Sequence, residues 1–142
     1  MFSLHPQLAA DTILVGHLPL CEVLLVNDST YPWLILVPRR VDVRELFELN
    51  EADQQQMQNE SLALSKLLMQ HFQGDKFNYA ALGNMVSQLH LHHIVRFKHD
   101  AAWPKAVWGA APAQAYSEQQ AQQIKLELQA LIGQQLEGFK PC

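Results

Sequence analysis

Gln88-Leu89-His90-Leu91-His92-His93-Ile94-Val95 decides how this chain is read, because an imidazole recurs on alternate residues inside an apolar run. A β-strand turns successive side chains to opposite faces, so Gln88, His90 and His92 share one face while Leu89, Leu91, His93 and Val95 take the other. One face is polar and titratable; the other is mostly apolar. Two imidazoles held side by side on a rigid strand supply a nucleophile or a charge stabiliser near pH 7.

The neighbouring segments supply the rest of a sheet. Phe77 to Leu82 forms a strand that reaches Leu89 to Phe97 through Gly83-Asn84-Met85-Val86-Ser87. Nearer the start, Thr12 to His17 and Leu20 to Val26 are strand-like runs divided by Leu18-Pro19, a hairpin pattern. The turn-rich Asn27 to Pro32 then precedes an almost wholly apolar strand, Trp33 to Val37, closed by Pro38. Asp42 begins a short helix through Leu49. A longer one is capped by Asn50 with Asp53 and carries a stripe of Met57, Leu64, Leu67, Leu68 and His71 before Gly74 ends it. Past the irregular stretch Lys98 to Ala115, Ser117 and Gln120 match a capping box, and Ala121, Ile124, Leu128 and Leu131 stripe a last helix. The expected fold is α+β, with helices packed on a five-stranded antiparallel sheet. Its core spans about residues 12–97, followed by a C-terminal extension with a helix over about 98–142.

At 142 residues and 49% hydrophobic content, the chain predicts a single domain with a real core. No apolar run approaches the roughly 18 residues of a spanning helix, and Met1 to Ala10 lacks the pattern of a signal peptide. The expectation is a soluble cytoplasmic protein with no membrane partner. A net charge of −4 argues against nucleic-acid polymers as partners, though a small anionic ligand needs only a local cluster of donors. Cys21 reads as buried filler and Cys142 as a terminal residue, so no disulfide framework or CxxC site is indicated.

Most histidines on strands are hydrogen-bonded core or surface groups, and His5, His17, His71, His93 and His99 are read that way. Arg39 and Arg40 read as a solvated strand end. The pair His90 and His92, with Asn84, Ser87 and Gln88 just before it, is different, because polar groups converge where a β-core should be apolar. Two chemistries fit. The pair can chelate a metal through ring nitrogens, although no third or fourth ligand stands at a suitable spacing. Alternatively, one imidazole attacks phosphorus while its other nitrogen donates to a backbone carbonyl, and the second holds the phosphoryl oxygens. Asn84 and Ser87 can then donate to phosphate oxygens, and Gly83 allows close backbone approach.

Gln88 to Ile94 resembles the signature of the histidine triad (HIT) family, His-φ-His-φ-His-φ-φ, with Gln88 in the first His position. Gly83 to Ser87 is similar to the Gly-Gln-x-Val-x run before that motif, and Arg96 to the arginine after it. Trp33 to Arg40 resembles the strand that ends in Pro-Lys-Arg, with Trp33 in place of a frequent His. The resemblance implies a HIT-like fold, usually a homodimer, acting on nucleotides at the α-phosphate through a covalent nucleotidyl-histidine, with no cofactor and no metal. It implies His90 as nucleophile, His92 as the third triad residue, and Asn84 as the phosphate-contacting residue. Asn27 or Asp28 would hold the ribose hydroxyls. The substrate implied is a nucleoside phosphoester, phosphoramidate or dinucleoside polyphosphate. A nucleotide-binding homodimer with little turnover is the second expectation, and a His-based metal protein the third. Trp103 and Trp108 are expected to pack on the last helix or at a dimer contact, or else to cover the site.

Overall fold

A computed structural model describes the whole chain, Met1–Cys142. Its centre is β3 (Trp33–Pro38), where all six residues are buried, as expected of an apolar run covered on both faces. β3 pairs antiparallel with β2 (Cys21–Val26) on one side and with β5 (Leu91–Arg96) on the other. β1 (Thr12–His17) extends the sheet beyond β2, and β4 (Lys76–Ala80) beyond β5. A two-residue strand, β6 (Lys140–Pro141), adds to β1, so the order is β4-β5-β3-β2-β1-β6 and the sheet has six strands rather than the expected five. Gly16 makes that addition possible: a Cβ there would lie 2.5 Å from the Lys140 carbonyl oxygen.

Two helices cover one face. α2, numbered after the short α1 (Pro6–Asp11), runs Glu51–Phe72, and α3 runs Glu118–Gln135. The Asn50 side chain accepts from the Asp53 N–H at 2.8 Å, and Ser117 with Gln120 forms the expected capping box. Met57, Leu64, Leu67 and Leu68 of α2 and Leu128 and Ile132 of α3 join a core of 19 buried residues. Each fully buried aliphatic side chain of this kind contributes about 1.5–3 kcal/mol. His71 is excluded from that stripe. It is exposed and meets Glu127 of α3 at 3.0 Å. The helix expected over Asp42–Leu49 contracts to a single 3-10 turn, Leu46–Glu48, and α2 closes on Gln73, whose φ of 53° takes the left-handed position one residue before Gly74.

The other face has two covers. Phe2, Leu4 and Leu8 of the N-terminal segment pack on Leu24, Ile35, Val37 and Val86. Ala102 and Val107, from the segment after β5, pack on Tyr31, Trp33 and Ile94. Arg96 organises that segment. Its guanidinium donates to Asp100 at 2.8 and 3.0 Å, to Asn78 Oδ1 at 2.7 Å and to the Lys105 carbonyl at 2.8 Å. Burial alone would raise the Asp100 carboxyl, but the Arg96 guanidinium and backbone N–H groups hold it down at about 2. Arg40 pairs with Asp53 at 2.6 Å and Arg39 donates to the Leu18 and Pro19 carbonyls, so neither is a free strand end.

Candidate active site

β5 begins at Leu91, one residue after His90, so His90 sits at the mouth of the strand and His92 inside it. Their rings are 5.0 Å apart, nearly edge to face, and both residues are buried on the face opposite the helices. His90 Nδ1 lies 2.6 Å from the Gln88 carbonyl oxygen. A carbonyl only accepts, so Nδ1 carries the proton and Nε2 keeps its lone pair in the plane of the ring. No protein group engages that Nε2.

His92 has the complementary arrangement. The Trp33 indole Nε1–H donates to His92 Nδ1 at 3.0 Å, and an indole nitrogen can do nothing but donate. The proton of neutral His92 is therefore on Nε2. Trp33 is paired with Ile94 across β3 and β5, which makes it the diagonal neighbour of His92 and within reach of a long aromatic side chain. Burial, reinforced by His90 and His93, pushes His92 down to about 3, so near neutrality it is a donor without charge. Trp108 stands against it, 5.0 Å from the His92 ring and 5.8 Å from Trp33, with 40% of its surface exposed. The two indoles thus form an aromatic wall around His92, half of it open to solvent.

Gln88 faces away from this chemistry. Its Oε1 accepts the His5 backbone N–H at 2.8 Å and its Nε2 donates to the Ser3 carbonyl at 2.9 Å, so the side chain clamps the N-terminal segment while the backbone carbonyl orients His90. Asn84 and Ser87 are exposed on the loop before the strand, and Gly83 there takes φ 80°. Asn27 and Asp28 engage the chain leading to α3. Asn27 Oδ1 accepts the Tyr116 N–H at 3.0 Å, and the buried Asp28 Oδ1 accepts from Thr30 at 3.0 Å and Gln114 at 3.2 Å.

The structure thus brings His90 and His92 together, and adds Trp33 and Trp108 to them. Neither aromatic contact is carried by local pattern, since Trp33 is 59 residues from His92 in sequence. The available signal is register, which places an indole N–H on the same face one pair away. His93 points to the helices and is spent there, its Nδ1 on the Leu91 carbonyl at 3.0 Å and its Nε2 accepting from Ser61 Oγ at 2.7 Å. Nowhere do three His, Cys, Asp or Glu side chains gather as a metal site. No helix is long and apolar enough to cross a membrane.

A family model described as the HIT domain matches residues 7–99. The crystal structure of a histidine triad protein from Marinobacter aquaeolei is 55% identical, with a TM-score of 0.92 over 95% of this chain and 98% of that one. Histidine triad proteins from Bradyrhizobium japonicum and Sinorhizobium meliloti are 42% and 39% identical, with TM-scores of 0.87 and 0.88, covering 95% and 96% of this chain and 98% of each of theirs. A Hit-like protein from Bartonella henselae, 13% identical with a TM-score of 0.61 over 84% of this chain and 86% of that one, shares the fold. No curated protein gives a significant match.

Proposed function

Because this chain belongs to the histidine triad family, whose members are generally nucleotide hydrolases or transferases, we propose that it attacks the α-phosphate of a nucleotide through His90 and passes the nucleotidyl group to water or another acceptor. One observation carries the reading: His90 has Nδ1 fixed on the Gln88 carbonyl and Nε2 free, with the His92 ring 5.0 Å away. Attack by Nε2 places positive charge on the ring, and the Gln88 carbonyl, already accepting from Nδ1–H, stabilises it. The His92 Nε2–H, Asn84 and Ser87 donate to the phosphoryl oxygens as negative charge develops there. Gln88 acts through its backbone and its hold on residues 3–5. Of the candidates for the ribose, Asn27 fits better than Asp28, since its amide nitrogen is unengaged while the Asp28 side chain is buried under two backbone N–H groups.

The reading includes a homodimer. β4 is one of the two sheet edges, and beside it a groove of about 580 Å³ is lined by Leu46, Phe47, Met57, Leu62, Phe77 and Tyr79. Phe47 is 79% and Leu62 61% exposed, so an apolar face adjoins unpaired strand backbone, the combination that a second copy would cover. Leu62→Glu is expected to convert a dimer to monomer in sedimentation, and an unmodified chain that sediments as monomer would remove this part.

Gln88 cannot carry a proton, which favours binding without useful turnover as the second reading. A panel of nucleotide esters, phosphoramidates and dinucleoside polyphosphates assayed with the chain and with His90→Asn separates the two. Nucleoside monophosphate released by the former and not by the latter supports catalysis. Tight calorimetric binding without release supports the second reading, and equal release by both excludes His90 as nucleophile.

A further inference from the structure

An alcohol or amine displaced from phosphorus needs a proton as it departs, whereas a phosphate, polyphosphate or carboxylate departs as an anion. The protons in this site are few and none is readily released. His90 Nδ1–H is held by the Gln88 carbonyl at 2.6 Å. Trp33 Nε1–H points at His92 Nδ1 from 3.0 Å, so protonating that nitrogen would set two N–H donors against each other in a buried space. His92 Nε2–H is available as a hydrogen-bond donor, but a neutral imidazole is far too weak an acid to release that proton. Burial and the adjacent His90 act in the same direction by keeping His92 uncharged.

No other group in the site supplies the proton. Gln88 is an amide with both side-chain atoms on residues 3–5. Trp108 presents an indole. His93, on the opposite face, has both nitrogens engaged by Leu91 and Ser61. The Arg96–Asp100 pair, under Tyr31 and Trp103, is closed on itself. His5 is tied to Gln88 through its backbone N–H, and its exposed ring caps α1 by accepting the Gln7 N–H at 3.0 Å.

We propose that the substrates are nucleotidyl anhydrides, in which the group displaced from the α-phosphate leaves as a stable anion, and that phosphoramidates and alkyl esters are disfavoured because no side chain beside His90 holds a transferable proton. The proposal rests on His90 as nucleophile. In the first step the His90 Nε2–P bond forms, the bridging P–O bond breaks, and its electron pair leaves on the phosphate or carboxylate oxygen with no proton added. In the second, the oxygen of water bonds to phosphorus and the N–P bond breaks with its pair returning to Nε2. The water proton passes to solvent. Trp33 is in this account a positioning residue that keeps His92 a neutral donor.

The test is a leaving-group series on the unmodified chain: diadenosine polyphosphate, adenosine 5′-phosphoramidate, and aryl esters of AMP and UMP with graded leaving-group acidity. Removing general-acid assistance is worth about 10²–10⁴-fold. The anhydride is therefore expected to exceed the phosphoramidate in kcat/KM by about 10²-fold or more, with aryl-ester rates falling steeply as the leaving group becomes more basic. Trp33→Phe, which frees His92 Nδ1 from the opposing indole N–H, and Gln88→His, which adds an imidazole, should each narrow the anhydride-to-phosphoramidate ratio. Equal or faster phosphoramidate cleavage, or a flat dependence on leaving-group acidity, overturns the proposal while leaving the His90 reading intact. A flat dependence that steepens in His5→Ala overturns it by identifying His5 as the acid. Turnover of every substrate by His90→Asn as well as by the unmodified chain overturns the His90 reading itself, and this proposal with it.

Discussion

His92 and His93 are consecutive residues on one strand, and they have opposite fates. Both are buried, and burial holds both neutral, His92 at about 3 and His93 at about 4. A lowered pKa therefore does not separate a structural histidine from a chemical one here. The count of committed ring nitrogens does. His93 spends both, on the Leu91 carbonyl and Ser61, and is sealed under α2. His92 spends only Nδ1, on Trp33, and sits between His90 and the half-open ring of Trp108. Alternation along β5 sends one imidazole to a dry interface and the other to a wall that a ligand can reach.

The sharpest way to break this comparison is to truncate each face in turn. His90→Ala should lower kcat/KM by about 10⁴-fold or more, as loss of a covalent nucleophile does, while the denaturation midpoint stays near that of the unmodified chain. His93→Ala should do the reverse, losing about 2–4 kcal/mol in urea unfolding because a cavity opens and Ser61 is left unpartnered. Should both variants lose activity with unchanged stability, the division between the faces fails.

Acid titration sharpens it further. The unfolded chain binds protons on these histidines below the ordinary value of 6.5, whereas the native chain refuses them until about 4 at His93 and about 3 at His92. Unfolded molecules then hold more protons, so stability falls as pH drops through this window, by up to about 1.4 kcal/mol per pH unit for each proton. Urea midpoints measured from pH 8 to pH 4 should show that slope, and His93→Gln should remove one proton from it. An unchanged slope in that variant would place the titration elsewhere. The smallest effect belongs to Ser61→Ala, which leaves His93 Nε2 buried without its donor and should cost about 1–3 kcal/mol with kcat/KM retained.

How much of this was legible in the sequence follows from distance along the chain. Alternation placed His90 and His92 on one face because strand period is a local property, and the caps at Asn50 and Ser117 are local too. The apolar run of Trp33–Val37 read correctly as a strand, while its place at the centre of the sheet came only from the pairing with β2 and β5. β6 did not show itself, since two residues have no periodicity and exist as a strand only through pairing with Gly16 and His17. α1 is six residues long, with Pro6 in its first turn as the sole cue. Within the site, the missing parts are the long-range ones. Gln88 reads as a departure from the motif, and only the fold reveals that it clamps residues 3–5 across a separation of more than 80 positions. Arg96 reads only as the arginine that follows the motif, yet at 2% exposure it is the buried hub that holds Asp100 and the segment leading to Trp108.

The central claim is that His90, with Nδ1 tied to the Gln88 carbonyl, forms a covalent bond to phosphorus. Rapid acid-free quenching of the chain during turnover of a dinucleoside polyphosphate, followed by peptide mass spectrometry, tests it directly. The account predicts a nucleotidyl adduct on the peptide containing His90, fragmenting at His90 and absent from His90→Asn. An adduct on His92 or His93, or turnover with no protein adduct at any quench time, would contradict it.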